Sequence, residues 1–156
     1  MRLILKALAI FMALSLSAQS DVTPRAGWNV LKTTKSHSVL LADLKTAVKA
    51  NKMGVVTQAS PTGTARKRGI IIPENRVVGV FNNDFAVRVL AQSTAAMIEA
   101  PIRFYVTENA DGTATLSYKT PSFVFSNYED EGGEALHMIA AELDAIFADI
   151  AQMAVQ

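Results

Sequence analysis

The sequence predicts an α+β fold: a two-layer domain in which a mainly antiparallel sheet is covered by helices on one face. Two neighbouring segments, residues 101–108 and 113–120, alternate between apolar and polar residues, which predicts a hairpin with one apolar face. Near the C-terminus, apolar residues recur at spacings of three and four, which predicts a helix with one buried stripe. The apolar face of the sheet and the stripe of the helix are expected to pack together.

The first half of the domain is predicted to contain two strands joined by a helix. Residues 28–34 form the first strand, and Ser38 is placed to cap the helix that follows. Gly54 is expected to close this helix as a left-handed residue and to begin a second strand over residues 54–59. The helix carries an apolar stripe of Leu40, Leu41, Leu44, Ala47 and Val48.

The second half begins with a polar stretch. Residues 61–69 are polar and end in basic side chains. Residues 76–81 are rich in valine and predict a third strand. Asn82 then breaks the strand and is expected to cap a short helix that runs through Ala91. The buried stripe of the final helix is predicted to be Leu136, Ile139, Ala140, Leu143, Ile146, Phe147 and Ile150.

Burial selects the register of the hairpin. A loop of three residues that ends at a left-handed Gly112 places Val106 opposite Leu116 and Phe104 opposite Tyr118. A loop one residue longer would mix apolar and polar side chains on both faces, because a shift of one residue turns every side chain over. We therefore predict the three-residue loop and an apolar face that points toward the helices.

Four short segments carry a resemblance to a known family: Phe81-Asn82-Asn83, residues 95–101, Ala110-Asp111-Gly112 and residues 116–121. Together they resemble the domain of unknown function 302 family, and the best matching block is residues 76–128. The resemblance covers nearly all of the chain after its N-terminal segment. It implies a compact α+β domain from bacteria, often exported, for which no activity is established.

The N-terminal segment is typical of a secretory signal peptide. A basic start is followed by an apolar run over residues 7–16 and by small residues, Ala18 and Ser20, at the positions of a cleavage site. We therefore predict a signal peptide over residues 1–20, a single globular domain over residues 21–156, and a periplasmic or secreted location. An uncleaved anchor is the alternative, although the apolar segment is shorter than the roughly 20 residues of a spanning helix.

The composition excludes several classes of function. The chain has no cysteine, which excludes lipidation at the signal boundary, thiol catalysis, thiolate metal sites and haem attachment through cysteine. Of the 15 basic residues, Arg2 and Lys6 leave with the signal peptide, so 13 remain against 14 acidic residues, a net charge of −1. This balance gives no attraction for nucleic acid. Contact with a membrane is expected only through the signal segment before its cleavage.

Motifs for metal, phosphate or covalent chemistry are weak. His37 and His137 are far apart in sequence and are interpreted as surface residues, so no metal site is predicted. Residues 63–69 only faintly resemble a phosphate-binding loop, because the required Gly-Lys-Ser/Thr is missing, and they are interpreted as a basic turn. No Gly-x-Ser-x-Gly nucleophile elbow is present. We therefore predict no cofactor and identify no catalytic residue.

The candidate ligand-binding residues are Asn82, Arg103 and Tyr118. The hairpin register turns Tyr118 toward the core, where its hydroxyl requires a hydrogen-bond partner, and Asn82 could supply one from the end of a neighbouring strand. Such a pair is either a structural hydrogen bond or the polar end of a small apolar pocket. We expect a non-enzymatic module that binds a small ligand or a protein partner, or forms a homodimer. The alternative is an enzyme of unidentified reaction that uses Asn82 and Tyr118.

Overall fold

The computed structural model describes residues 22–156, and the signal peptide predicted over residues 1–20 lies outside them. The strands of the described residues are β1 (Trp28–Lys32), β2 (Gly54–Ala59), β3 (Asn75–Phe81), β4 (Ile102–Glu108) and β5 (Ala114–Lys119). The helices are α1 (His37–Ala50), α2 (Thr62–Lys67), α3 (Asn83–Gln92), α4 (Pro121–Phe125) and α5 (Glu129–Val155). Short 3₁₀ turns at Ala96–Glu99 and Ser126–Tyr128 precede β4 and α5.

The strands form one antiparallel sheet in the order β1-β5-β4-β3-β2. Helices α1, α3, α4 and α5 pack together on one face of this sheet, where α1 lies against the three central strands. The predicted fold class, a two-layer α+β domain with a mainly antiparallel sheet, is therefore confirmed. The core between the two layers includes the fully buried side chains of Leu40, Leu44, Val78, Phe104, Val106, Leu116, Leu136, Phe147 and Ile150.

The apolar stripe predicted for the C-terminal helix is confirmed. Every member of the stripe in α5 is buried except Ile146, which is partly buried and still packs against the core. The helix is broken near its start at Gly133, whose backbone has φ 52° and ψ −150°. This break separates the acidic first turn, which begins at Glu129, from the long segment that carries the stripe.

The register of the β4–β5 hairpin is also confirmed. Val106 lies opposite Leu116, and Phe104 lies opposite Tyr118. Gly112 has a φ of 81°, in the left-handed region predicted for the end of a three-residue loop. The loop is closed by the Asn109 amide, which donates a hydrogen bond of 2.8 Å to the carbonyl oxygen of Thr113.

Two details of α1 differ from the prediction. The helix begins at His37, one residue before Ser38, so Ser38 lies inside the first turn and does not cap it. The left-handed residue after the helix is Lys52, with a φ of 57°, and Gly54 instead begins β2. The reason is the hydrogen bonding at this end: the Lys52 amide donates to Lys49 and the Met53 amide to Val48, the pair of bonds that defines a Schellman motif.

Two further interpretations are wrong. Most of residues 63–69, interpreted as a solvated basic turn, lies in α2, which is held to the chain that follows it by an ion pair of 2.7 Å between Arg66 and Glu74. His37, interpreted as a surface residue, is only 8% exposed, whereas His137 is exposed as expected. The burial of His37 follows from its position at the start of α1, in the layer that covers the sheet.

Candidate ligand-binding site

Tyr118 points into the core, as the register predicts. Its side chain is 3% exposed, and its ring lies 5.0 Å from the ring of Phe104 and 5.8 Å from that of Phe147, measured between centroids. The hydroxyl accepts a hydrogen bond of 2.8 Å from the side-chain amide of Asn29. Burial raises the pKa of Tyr118, and the hydrogen bond from Asn29 opposes that shift only in part. The phenol is therefore neutral at physiological pH.

Asn82 does not contact Tyr118, which corrects the predicted pair. Its side-chain oxygen accepts hydrogen bonds from the amides of Asp84 (2.8 Å) and Phe85 (3.4 Å) and so caps α3. Its side-chain nitrogen donates a hydrogen bond of 3.0 Å to the carbonyl oxygen of Lys52. The polar groups of Asn82 are thus used to fix the start of α3 against the loop after α1.

Arg103 lies on the opposite face of the sheet from the core. It alternates with the buried Phe104 along β4 and is exposed. Its cross-strand partner on β3 is Gly79, and Thr57 and Pro101 occupy the space where a side chain of Gly79 would lie. Within residues 22–156, no ion pair or hydrogen bond engages its guanidinium group. The three predicted site residues therefore do not form one cluster.

A large cavity lies mainly on the face of the sheet away from the helix layer. Its volume is about 680 Å³, within the usual range for small-molecule sites. Arg103 and Tyr118 both border it, whereas Asn82 does not. The residues that line this open-face cavity are Trp28, Ala59, Ser60, Pro61, Asn75, Val77, Glu99, Ile102, Arg103, Tyr105, Ser117, Tyr118, Lys119 and Val124.

The sheet register explains how these residues come together. Ala59 on β2 pairs with Val77 on β3, which pairs with Tyr105 on β4, which in turn pairs with Ser117 on β5. Paired residues in neighbouring strands point to the same face, so this row runs across the outer face of the sheet. The segment between β2 and α2, which includes Pro61, continues from the edge of the row and borders the cavity.

An aromatic residue with cationic neighbours borders the cavity. The guanidinium carbon of Arg25 lies 5.3 Å from the centroid of the Trp28 ring, and the ammonium nitrogen of Lys119 lies 5.8 Å from it. Both distances are within the range of cation–π attraction, so both cations are held near the ring. Trp28 and Lys119 are direct partners in the β1–β5 pair, which fixes this arrangement in the sheet.

Two further polar groups border the cavity. Glu99 lies in the 3₁₀ turn before β4, and its carboxylate accepts a hydrogen bond of 2.8 Å from the hydroxyl of Tyr128. Ser117 is fully buried between its cross-strand neighbours Val30 and Tyr105, and its hydroxyl has no hydrogen-bond partner among the described residues. A buried hydroxyl without a partner is unusual in a folded protein and is one place where an added ligand or water would bond.

The helix side of the sheet offers almost no space. Asn82 borders a cavity there of about 30 Å³, lined mainly by apolar side chains that include Met53, Phe85 and Met97. That volume has room for about two water molecules and not for an organic ligand. The small apolar pocket predicted around Asn82 is therefore filled by side chains.

Neither a metal-binding cluster nor a membrane-spanning helix is found in the part of the chain that the structure describes. In residues 22–156, no three histidine or acidic side chains lie close enough together to hold a metal ion. In the same part of the chain, no helix has both the length and the apolar character needed to cross a bilayer.

Neither Trp28 nor Asn29 is among the site residues predicted from the sequence. Both lie on the edge strand β1, whose pairing with β5 could not be inferred from local patterns. The available signal was the single tryptophan of the chain, at the start of a predicted strand and close to Arg25. A lone tryptophan there is a natural candidate for a binding surface, because its large ring is seldom fully buried.

The chain matches the family model described as Domain of unknown function DUF302 over residues 29–152. None of the curated proteins compared with the chain matches it. Among solved structures, it is similar to the crystal structure of the uncharacterized conserved protein DUF302 from Bacillus stearothermophilus. The two share 20% sequence identity with a TM-score of 0.73, over 83% of this chain and 98% of that one. This similarity shows a shared fold.

Proposed function

We propose that this chain, which belongs to the DUF302 family of domains of unknown function, is an exported binding module and not an enzyme. Its small-molecule ligand occupies the open-face cavity. The observation that carries the proposal is the cavity itself: about 680 Å³, lined mainly by apolar side chains, with the unpaired guanidinium of Arg103 at its border. A concave, mostly apolar site with a few polar groups is the usual form of a small-molecule site.

The chemistry at the cavity favours binding over catalysis. The hydroxyl of Tyr118 points into the core, where it accepts a hydrogen bond from Asn29, so it is not placed to act as a general base in the cavity. Asn82, its predicted partner in an enzyme, caps α3 and does not contact Tyr118. The alternative of an enzyme built on Asn82 and Tyr118 therefore has no geometric support.

Export is supported by the N-terminal sequence. The basic start, apolar run and small residues before Asp21 predict cleavage near that residue. Measurement of the intact mass of the protein from the periplasm or medium of its own cells tests this. We expect a mature chain that begins at or near Asp21. A mass that retains the first 18 residues would contradict cleavage.

Native mass spectrometry tests the binding function. Protein purified from its own cells is expected to carry an additional mass that is released on unfolding. Ala59→Trp places a large side chain in the cavity from an exposed edge strand and should abolish the additional mass. The matched control is Ala42→Trp, at an exposed position of α1 on the helix side.

The proposal is contradicted if the wild-type protein carries no additional mass, or if Ala59→Trp retains it as Ala42→Trp does. The same spectra give the oligomeric state. They therefore also report whether the protein forms a homodimer or carries a protein partner, as the sequence leads us to consider.

A further inference from the structure

We infer that the ligand of the open-face cavity is an organic anion: one carboxylate or sulfonate group on a flat, apolar body. The inference rests on the proposed function, because it names the class of ligand for the same cavity. It depends on the charges at the border of the cavity, on its aromatic wall, and on the buried hydroxyl of Ser117, which lacks a partner among the described residues.

The charges at the cavity favour an anion. Among the described residues that line it, the cations are Arg103 and Lys119, and the only anion is Glu99. The Glu99 carboxylate is already engaged by the hydroxyl of Tyr128. The guanidinium of Arg103 has no partner in residues 22–156, so an anion can bind it without displacing an existing ion pair. An arginine binds a carboxylate through two parallel hydrogen bonds, and charged bonds of this kind are among the strongest in proteins.

The position of Arg103 leaves room for such a bond. Arg103 is exposed on the outer face of the sheet, and the space over its cross-strand neighbour Gly79 is occupied by Thr57 and Pro101. On the same outer face, Tyr105 is the next residue of β4 to point outward. An anionic group bound by Arg103 would therefore have its apolar body directed over the row that contains Tyr105 and Val77.

The aromatic wall favours a flat body. Trp28 and Tyr105 both border the cavity, and offset stacking against such rings is favourable for a planar ligand. Lys119 and Arg25 near the Trp28 ring add to the positive potential around that wall. The hydroxyl of Ser117, buried and without a partner among the described residues, offers one further hydrogen bond to the ligand.

The chain carries its own reporter for the test. Trp28 is its single tryptophan and borders the cavity, so energy transfer from tryptophan to a bound fluorophore reports binding to the protein, and the Arg103 variants test whether the probe lies in the cavity. Two probes that share the same aromatic body are used: anionic 1-anilinonaphthalene-8-sulfonate and neutral N-phenyl-1-naphthylamine. Each is titrated into the purified wild-type protein and into Arg103→Met, Arg103→Lys and Lys45→Met. The last variant removes an exposed cation from α1 on the helix side.

We expect Arg103→Met to weaken binding of the anionic probe about tenfold, as loss of one charged hydrogen bond implies, and to leave the neutral probe within about twofold. Arg103→Lys should recover part of the loss, because it restores the charge but not the two parallel bonds. Lys45→Met should bind both probes like the wild type. A circular dichroism spectrum and a thermal melt like those of the wild type show that Arg103→Met is folded.

Two failures can be told apart. Absence of energy transfer from Trp28 to either probe in the wild-type protein contradicts the proposed function and the inference with it. Binding of both probes, with the anionic probe unaffected by Arg103→Met or weakened only as much as the neutral one, overturns the inference and leaves the binding function standing.

Discussion

The side-chain amide of Asn29 donates a hydrogen bond of 2.8 Å to the hydroxyl of Tyr118, directly across the β1–β5 pair. This bond gives the buried phenol the partner that its position requires, and it ties the edge strand β1 to the aromatic cluster of Tyr118, Phe104 and Phe147. The role that the sequence suggested for Asn82 therefore belongs to Asn29.

The Asn29–Tyr118 bond predicts a specific energetic coupling. Tyr118→Phe and Asn29→Ala should each lower the free energy of unfolding by about 1 kcal/mol, the typical contribution of one hydrogen bond. The double variant should lose less than the sum of the two, because either change alone already breaks the bond. Unfolding in urea, followed by far-ultraviolet circular dichroism, measures the three values.

Asn82→Ala is the control for that cycle. It should also destabilise by about 1 kcal/mol, but through loss of the α3 cap. Its effect should add to that of Tyr118→Phe, since the two side chains share no contact. Coupling of Tyr118 to Asn82, with additivity toward Asn29, would contradict the observed hydrogen bonding.

The loop of the hairpin depends on the backbone of Gly112. Its φ of 81° is unfavourable for a side chain, although no atom lies within 4 Å of the position of an added Cβ. Gly112→Ala should therefore destabilise by about 1 kcal/mol from backbone strain alone. Gly63→Ala is the matched control, because Gly63 in α2 has similar open space and no positive φ. It should be neutral or stabilising, and equal losses in a thermal melt would rule out strain as the cause.

The core should be most sensitive at Phe147. Its ring stacks on Phe104 at 4.7 Å between centroids and is fully buried. Phe147→Ala should lower the free energy of unfolding by about 3–5 kcal/mol, because it leaves a cavity between the layers. Met138→Ala, on the same helix but 59% exposed, should change it by less than about 0.5 kcal/mol. Similar losses in urea unfolding would contradict the observed orientation of α5.

Stability should depend on pH through His37. Burial lowers the pKa of His37, and nearby Arg76 adds to the shift, while Glu74 and Glu108 oppose it. The folded state thus holds a proton on His37 less tightly than the unfolded state does. The stabilisation is fully present above the ordinary histidine pKa of about 6.5 and is lost as the pH falls through the lower pKa of the folded state.

Urea unfolding at a series of pH values between about 7.5 and 4.5 measures this loss. His37→Gln should flatten the part of the curve just below pH 6.5, and His137→Gln, at an exposed position, should leave it as in the wild type. A wild-type stability that rises as the pH falls through this range would contradict the direction of the shift.

Local patterns in the sequence were sufficient to predict the hairpin register and the buried stripes of the helices. The register of Phe104 against Tyr118 followed because only one pairing buries a consistent face. The stripe around Phe147 followed from its spacing. These features depend on residues close together in the chain, where periodicity and burial agree.

Features set by distant contacts could not be predicted in this way. Helix α2 is short and polar, and it is held by partners outside it, such as Asn75, which donates to the Thr62 hydroxyl. Lys52 adopts a left-handed conformation because the packing of α1 decides where that helix ends, although glycine is the usual residue there. The partner of Tyr118 depended on β1 joining the sheet beside β5, which separates Asn29 from Tyr118 by 89 positions.

The location of the ligand site is tested most directly by nuclear magnetic resonance. Backbone amide shifts of the labelled protein are followed while 1-anilinonaphthalene-8-sulfonate is added, and the titration is repeated with N-phenyl-1-naphthylamine. We predict that the largest changes map to the open-face cavity, at Tyr105, Ser117 and Lys119. Largest changes around Met53 and Phe85, on the helix side of the sheet, would contradict the proposed site.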